Sequence, residues 1–228
     1  MNFPKDIREE KENTQDQVHS VVLRILKIVK QICKKHNISF WLEYGTLLGC
    51  IRHKGFIPWD HEADIGMLRT DYNKFLKIVK EELPEDLFFQ TKESDPLYSS
   101  YYIIESKIRD RYSEYIEDRG KYLWHNGIQV DIFVYDLDIE RTLCLTNSFE
   151  RNFSKGNIHL KVEEIQYLIS GLFEETEFPI PIGYENYLKR AYGNYMQLPP
   201  ITERQFPKVN VFSSCNHIES LDWNSKKN

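Results

Sequence analysis

The chain has 228 residues, which is enough for one domain with a substantial apolar core. Hydrophobic residues account for 41% and charged residues for 29%, an ordinary balance for a globular protein, and the 14% of aromatic residues argues against a disordered chain. The formal net charge of -5 does not favour binding to bulk nucleic acid through its phosphates.

The N-terminal residues and the cysteines indicate a compartment. The first residues are charged and polar, unlike a secretory signal, and no apolar run reaches the ~18 residues that a membrane span needs. Four cysteines form no C-x-x-C pair and are interpreted as reduced structural thiols: Cys33, Cys50, Cys144 and Cys215. We therefore expect a cytoplasmic protein, with at most a peripheral contact at the inner face of the membrane.

The hydrophobic pattern predicts alternating helices and strands in the first part of the chain. Apolar residues spaced three and four apart indicate helices, and short runs of β-branched and aromatic residues indicate strands. The predicted elements are a mobile polar arm at 1–14, a helix at 15–36, a strand at 38–44, a short helix reaching 51, an acidic strand near 62–65, a helix at 71–83, and strands at 87–90, 98–109 and 128–135. Gly45 ends the first strand, and Thr46 is expected to cap the short helix.

Beyond residue 138 the pattern predicts helical pieces. The predicted features are a polar loop or hairpin at 110–127, a helix at 158–173, a loop at 179–181, a helix at 184–192, and the end of the ordered pattern at the prolines 199 and 200. The chain is thus divided into an arm at 1–14, a single domain at 15–203 and a poorly defined tail at 204–228. The mixture predicts an α+β or α/β domain around a small mixed sheet.

Three acidic residues on two predicted strands suggest a metal site. Glu62 and Asp64 are two residues apart, so on a strand their side chains share a face. Asp131 lies inside the apolar strand at 128–135. Oxygen ligands suit Mg²⁺ or Mn²⁺, and such a set can serve two-metal phosphoryl transfer. The alternatives are solvated carboxylates at a strand end and, for Asp131, an edge strand with a polar face.

The surroundings favour the metal interpretation. The Gly45-Thr46 turn leads into a helix, whose N-terminal N–H groups can hold a phosphate. The order of strand, Gly-Thr, helix and acidic strand matches the nucleotidyltransferase pattern typified by DNA polymerase beta, although the gap from Thr46 to Glu62 is longer than usual. His53, His61 and His125 do not have the spacing of a zinc site.

Longer blocks resemble the LicD family, whose relatives include the fukutin-type transferases. The match keeps its order over most of residues 15–200. It is carried by Gly45-Thr46-Leu47-Leu48-Gly49, the block from Arg52 to Asp60, the acidic strand, Asp71-Tyr72, Asp131-Ile132-Phe133, Tyr192-Gly193-Asn194-Tyr195-Met196 and Leu198-Pro199-Pro200. The resemblance implies an α+β nucleotidyltransferase-type fold with a mixed sheet flanked by helices and a helical C-terminal part.

The resemblance also implies an activity and its residues. Members of the family move a phospho-alcohol, such as phosphocholine or ribitol phosphate, from a CDP-activated donor to a glycan or its lipid-linked precursor. By position, the implied metal ligands and catalytic residues are Glu62, Asp64 and Asp131; the donor-binding residues are Gly45, Thr46, Arg52, Lys107 and Arg109; and the supporting residues are Asp60 and Trp59. Among these, Asp131 is the candidate to deprotonate the acceptor hydroxyl, by analogy with the fold.

One departure from the family pattern keeps other functions open. The family commonly has Trp-Asp-Asp-Asp-x-Asp, whereas this chain has Trp59-Asp60-His61-Glu62-Ala63-Asp64. Glu62 adds a methylene and His61 replaces an acid, which can change the metal preference or weaken catalysis. The alternative functions are a nucleotidyltransferase acting on a small molecule or sugar, and a catalytically impaired nucleotide-binding relative.

Overall fold

The structure is a computed structural model that describes residues 1–98, 104–116, 124–138, 143–153 and 159–213. In chain order its elements are α1 (Thr14–Lys35), β1 (Trp41–Leu42), α2 (Tyr44–Arg52), β2 (Ala63–Leu68), α3 (Arg69–Glu82), β3 (Leu87–Gln90), β4 (Ser106–Asp110), β5 (Glu114–Tyr115), β6 (Gln129–Leu137), β7 (Cys144–Thr146), α4 (Ser148–Phe153), β8 (Leu160–Lys161), β9 (Leu168–Phe173), β10 (Thr176–Pro181), α5 (Tyr184–Tyr192) and β11 (Val209–Asn210). The α+β class predicted from the sequence is confirmed.

A curled mixed sheet forms the centre of the domain. Its strand order is β1-β2-β6-β4-β3. Strand β7 pairs with the C-terminal end of β6 and, on its other side, with β8. The β2–β6 pair is parallel, and the other neighbours in the sheet are antiparallel. Two separate two-stranded sheets, β9–β10 and β5–β11, complete the described part of the fold.

The long helix α1 has the boundaries and the buried face expected from its spacing. Asn13 caps its N-terminus by accepting a hydrogen bond from the Asp16 N–H, 2.9 Å away. The apolar residues that recur at helical spacing along it are all buried: Val18, Val21, Val22, Ile25, Ile28, Val29 and Ile32. Asn37 follows with φ of 52°, a conformation that asparagine tolerates and that ends the helix. The predictions for α3, β3, β6 and α5 are confirmed in the same way.

Several predicted boundaries change in the structure. The strand predicted at 38–44 is reduced to the two residues of β1. The strand predicted at 98–109 is β4, and the predicted loop at 110–127 contains β5. Residues 99–103 and 117–123 of these two predictions lie outside the described residues.

The cap of α2 is Glu43, so the prediction that Thr46 caps this helix is wrong. Glu43 has the extended backbone of a cap, and its carboxylate accepts a hydrogen bond from the Tyr44 N–H at 3.1 Å. Thr46 lies inside the first turn instead. The helix therefore begins three residues earlier than a cap at Thr46 predicts, and Gly45 is helical.

The helix predicted at 158–173 and the loop predicted at 179–181 are also wrong. This region forms β8, a 3-10 turn at Val162–Ile165, and the hairpin of β9 and β10. Pro179 and Pro181 fit within β10 because a two-stranded ribbon leaves one edge of each strand unpaired. Glu174 turns the hairpin with φ of 52°. The expected helical pieces beyond 138 are α4 and α5 in the described residues.

The stretch predicted as an arm includes an anchored residue. Arg8 is buried, and its guanidinium binds both carboxylate oxygens of Asp110 at 2.9 and 2.5 Å and the Val211 carbonyl at 2.7 Å. These contacts join the N-terminal stretch to β4 and to the segment after β11. The division into arm, domain and tail stays a prediction, and residues 214–228 of the tail lie outside the described residues.

Candidate metal and phosphate site

Strand register brings the predicted acidic residues together. Asp64 on β2 is the direct partner of Asp131 on β6 in the parallel pair, and Glu62 precedes β2 by one residue. One carboxylate oxygen from each of the three lies within 4.8 Å of the other two. A hydrogen bond from the Gln129 side-chain amide also holds Glu62. The clustering that the spacing suggested is therefore present.

Asp131 lies in the interior of the sheet. Strand β6 pairs with β2 on one side and β4 on the other, so the alternative that Asp131 occupies a polar edge strand is wrong. Its side chain is 3% exposed and meets Lys107, its direct partner on β4. The Lys107 ammonium donates to both Asp131 oxygens at 2.7 Å. Burial of this carboxylate is thus partly compensated by a lysine.

Burial and mutual repulsion raise the pKa values of the acidic residues. Burial, followed by the charges of Glu62 and Asp131, raises the pKa of Asp64 well above its ordinary value. Burial raises the pKa of Asp131 to about 6, with Lys107 opposing and Glu62 reinforcing the shift. Burial and the Glu62 charge raise the pKa of Asp60 to about 6. The carboxylates are crowded, and a bound cation would relieve the repulsion between their ionised forms.

The donor set fits a hard divalent cation. Three carboxylate oxygens within 4.8 Å of one another are close to the separations of about 3–4 Å that oxygen ligands have around an octahedral Mg²⁺. Carboxylates without cysteine or an HExxH-type histidine pair suit Mg²⁺ or Mn²⁺ better than zinc. His61 approaches Glu62 with its Nε2 atom 4.0 Å from a carboxylate oxygen, and its ring packs edge-on against Tyr115.

The N-terminus of helix α2 is hydrogen-bonded to both the N–H and the carbonyl of Asp64 on β2. The Asp64 N–H donates to the Thr46 hydroxyl oxygen at 2.7 Å, and the Glu43 N–H donates to the Asp64 carbonyl at 2.9 Å. Two hydrogen bonds thus fix the first turn of α2 relative to the acidic strand. The Thr46 hydroxyl can still donate its own proton to a ligand.

Gly45 allows the backbone to approach the carboxylates closely. A Cβ atom at this position would lie 3.1 Å from an Asp60 carboxylate oxygen and 3.8 Å from an Asp64 oxygen. A larger residue would crowd the acidic cluster from the helix side. The first turn of α2 therefore stands beside the site, where its N–H groups could meet a phosphate. That role remains a prediction.

Arg52 lies at the other end of α2. Its guanidinium donates to the carbonyls of Tyr195 at 2.9 Å and Gln197 at 3.4 Å, and its Nε–H donates to the His53 ring at 3.0 Å. These contacts hold the segment after α5 against the helix. The predicted contact of Arg52 with phosphate remains a prediction.

A cavity of about 580 Å³ extends from Arg52 to Gly45 and Asp60, the residues that border the acidic cluster. Its lining includes Gly45, Arg52, Trp59, Asp60, Tyr192 and Tyr195. Trp59 is half-buried, and the Arg204 guanidinium lies over its ring, 5.1 Å from the centroid. Because the cavity reaches Gly45 and Asp60, a ligand held at the carboxylates would have room to extend toward the aromatic wall.

Arg109 is buried and engaged with neutral groups. Its Nε–H donates to the Gln90 side-chain oxygen at 2.6 Å and an Nη group donates to the Gly127 carbonyl at 2.7 Å. It shares a face of β4 with Lys107, whose ammonium contacts the acidic cluster directly. The structure thus places Lys107 at the carboxylates and gives Arg109 contacts that join neighbouring strands. A phosphate role for either remains a prediction.

Two further residues near the site were missing from the predicted set. Gln129 binds Glu62, and its position two residues before Asp131 on the same strand could have indicated it. Tyr192 lines the cavity beside Arg52 and Asp60. Its sequence signal is its place in the Tyr-Gly-Asn-Tyr block, which carries part of the family resemblance.

Known proteins match both the region and its order. The family model described as LicD/FKTN/FKRP, nucleotidyltransferase domain, matches residues 37–182, which contain the acidic cluster and Lys107. The chain is 25% identical over 244 aligned positions to the lipopolysaccharide cholinephosphotransferase LicD of Haemophilus influenzae, covering 79% of this chain and 90% of that protein.

Two mammalian proteins match over shorter parts of their length. The mouse ribitol-5-phosphate transferase FKTN is 28% identical over 161 positions, covering 68% of this chain and 33% of that protein. The human ribitol 5-phosphate transferase FKRP is 38% identical over 45 positions, covering 20% of this chain and 9% of that protein. None of the helices in the described ranges is long and apolar enough to cross a membrane.

Proposed function

Because the chain belongs to the LicD/FKTN/FKRP family of phosphotransferases, we propose that it moves a phospho-alcohol from a CDP-activated donor to a cell-surface glycan or its lipid-linked precursor. The phospho-alcohol is phosphocholine or a polyol phosphate, the groups named for the bacterial and mammalian relatives. The observation that carries the proposal is the cluster of Glu62, Asp64 and Asp131 beside the first turn of α2.

The site is proposed to work with Mg²⁺ or Mn²⁺. Glu62, Asp64 and Asp131 would hold the ion, and Gln129 would keep the Glu62 carboxylate in place. A bound divalent cation would neutralise the charge that develops on the phosphate during transfer. Asp60 lies close to the same carboxylates and would reinforce the negative potential that attracts the ion.

The protein's own groups would position the donor and move the proton. The N–H groups in the first turn of α2 would bind the donor phosphates, with Thr46 fixed by its bond to Asp64. The acceptor hydroxyl would attack the phosphorus next to the alcohol, forming one new P–O bond while the P–O bond to CMP breaks. Asp131 would accept the proton of that hydroxyl through an oxygen lone pair not used by Lys107.

The change from aspartate to glutamate at position 62 is compatible with this role. The longer side chain still places an oxygen within the 4.8 Å cluster. His61 donates no ligand atom to that cluster, and its carbonyl accepts a hydrogen bond from the Tyr115 hydroxyl at 2.9 Å. This arrangement favours a competent enzyme over the impaired relative that the altered acidic run left open.

Product analysis distinguishes the proposal from its rivals. CDP-choline, CDP-ribitol or CTP would each be incubated with glycan acceptors in Mg²⁺, Mn²⁺ or EDTA, and the nucleotides separated by chromatography. The proposal expects CMP and a phospho-alcohol-modified glycan with either metal, and neither product with EDTA. A nucleotidylated acceptor with pyrophosphate formed from CTP would favour the nucleotidyltransferase, and nucleotide binding without any turnover would favour the impaired relative.

A further inference from the structure

Lys107 is placed where the site needs a positive charge. Its side chain is 11% exposed, and its ammonium lies 2.7 Å from each oxygen of the almost fully buried Asp131. The contact is set by the sheet itself, because Lys107 and Asp131 are direct partners in the β4–β6 pair. A lysine fixed by strand register does not need a ligand to hold it there.

The lysine limits how Asp131 can bind metal ions. A carboxylate has about four lone-pair positions on its two oxygens, and the ammonium occupies one position on each oxygen. The positions that remain are sufficient for one cation beside Asp64 and Glu62. In two-metal sites the ions lie about 3.5–4 Å apart and share carboxylates, so a second ion on Asp131 would meet the ammonium at close range and be repelled by it.

The charge of the cluster also favours a single ion. Glu62, Asp64 and Asp131 carry three negative charges when ionised, and Lys107 compensates one of them. The remaining charge of two is matched by one divalent cation. A second such cation would make the immediate site positive, although Asp60 is close enough to offset part of that charge.

We propose that the site takes one divalent cation, held by Glu62, Asp64 and Asp131, and that the Lys107 ammonium supplies the fixed positive charge that a second ion provides in two-metal sites. The inference rests on the proposed phosphotransferase function, and it differs from the two-metal set suggested by the sequence. It assigns Lys107 to Asp131 rather than to a donor phosphate. Lys107 is thus a positioning and charge-balancing residue.

Counting bound ions tests the inference without measuring turnover. The electron paramagnetic resonance signal of free Mn²⁺ gives, by difference from the total, the number of ions bound per chain. The measurement is made with CDP present, and the ions that CDP binds on its own are subtracted. The wild type is expected to hold one ion. Lys107→Met is expected to hold two, or to bind its first ion about tenfold more tightly, because the competing charge is gone. Lys107→Arg keeps that charge and is expected to hold one.

The control is Lys74→Met, which removes the charge of an exposed lysine paired with Asp71 on α3; this variant should hold one ion with unchanged affinity. Circular dichroism would show whether each variant is folded. If Lys107→Met fails to fold, the ion counts of the wild type and of Lys107→Arg still test the inference. Two ions in the wild type, or an unchanged count and affinity in folded Lys107→Met, would overturn this inference and leave the proposed phosphotransferase function standing. No bound ion in the wild type would overturn the proposed metal dependence as well.

Discussion

Asp64 and Asp131 face each other across the parallel pair of β2 and β6, in the interior of the sheet. Residues paired in this way point to the same face, so two carboxylates far apart in the chain meet at one place. Lys107 joins Asp131 from the opposite neighbour, β4. The sheet therefore supplies two carboxylates and one ammonium group from three adjacent strands, while Glu62 adds a third carboxylate from the loop before β2.

Neutralising either central aspartate is expected to abolish turnover. Asp64→Asn and Asp131→Asn each remove a charged ligand while keeping the shape of the side chain, so kcat should fall by at least about 10³-fold. CMP release from the preferred CDP-linked donor measures the effect, and circular dichroism checks the fold.

Asp136→Asn is the matched control for these substitutions. Asp136 lies on the same strand but pairs with Arg69 at the other end of β6, so this variant should retain activity. Wild-type rates in folded Asp64→Asn and Asp131→Asn would contradict the assignment of the active site to these residues.

Thr46 is expected to contribute to stability through one hydrogen bond. Thr46→Val keeps the side-chain shape but leaves the Asp64 N–H without the acceptor that now lies 2.7 Å away. The free energy of unfolding should fall by about 1–3 kcal/mol, the cost of an unsatisfied buried donor. Urea denaturation measures the change. Thr46→Ser should recover most of it, and a valine variant as stable as the wild type would show that this bond does not fasten α2 to β2.

Glu150 is expected to make stability fall as pH rises. Burial and repulsion from Glu43 raise its pKa to about 8, despite hydrogen bonds from the hydroxyls of Tyr44 and Tyr135. A carboxyl whose pKa is higher in the folded state favours folding most below its unfolded pKa of 4.5, and this contribution is lost as pH rises toward about 8. Glu150→Gln removes the titration. Urea denaturation at pH 5, 7 and 9 should show the variant gaining stability relative to the wild type as pH rises, and a difference independent of pH would contradict the assignment.

Arg52 is expected to hold the segment after α5 in place. Its bonds to the carbonyls of Tyr195 and Gln197 would be lost in Arg52→Met, so amide hydrogen exchange in that segment should become faster. The KM for the donor should rise as the cavity wall loosens. A raised KM with unchanged exchange would instead support the phosphate contact that the family resemblance implies.

Local sequence patterns were sufficient to predict the long helix and the long central strand. The apolar spacing of α1 and the mostly apolar sequence of β6 both correspond to buried surfaces. The region at 158–173 was different, because its apolar residues also fit helical spacing. In the hairpin they divide between the two faces, and Ile169 and Leu172 remain 37% and 49% exposed. Packing of β9 and β10 against α2 and β1 decided this conformation, which a local pattern does not record.

The site could be predicted in part for the same reason. Glu62 and Asp64 are neighbours in the chain, so their spacing alone suggested a shared ligand. The contact of Lys107 with Asp131 depends on the register between β4 and β6, which the sequence does not specify locally. The cap at Glu43 was missed because threonine is the more frequent cap, whereas here the side chain of Thr46 is used by Asp64.

Titration of CDP, the part common to every proposed donor, tests the account most directly. Isothermal titration calorimetry would compare CDP binding in Mg²⁺, Mn²⁺ and EDTA for the wild type, Asp64→Asn and the control Asp136→Asn. The account predicts binding with either metal in the wild type and in Asp136→Asn, and its loss in EDTA and in Asp64→Asn. Equal affinity with EDTA, or no binding to the folded wild type with either metal, would contradict it.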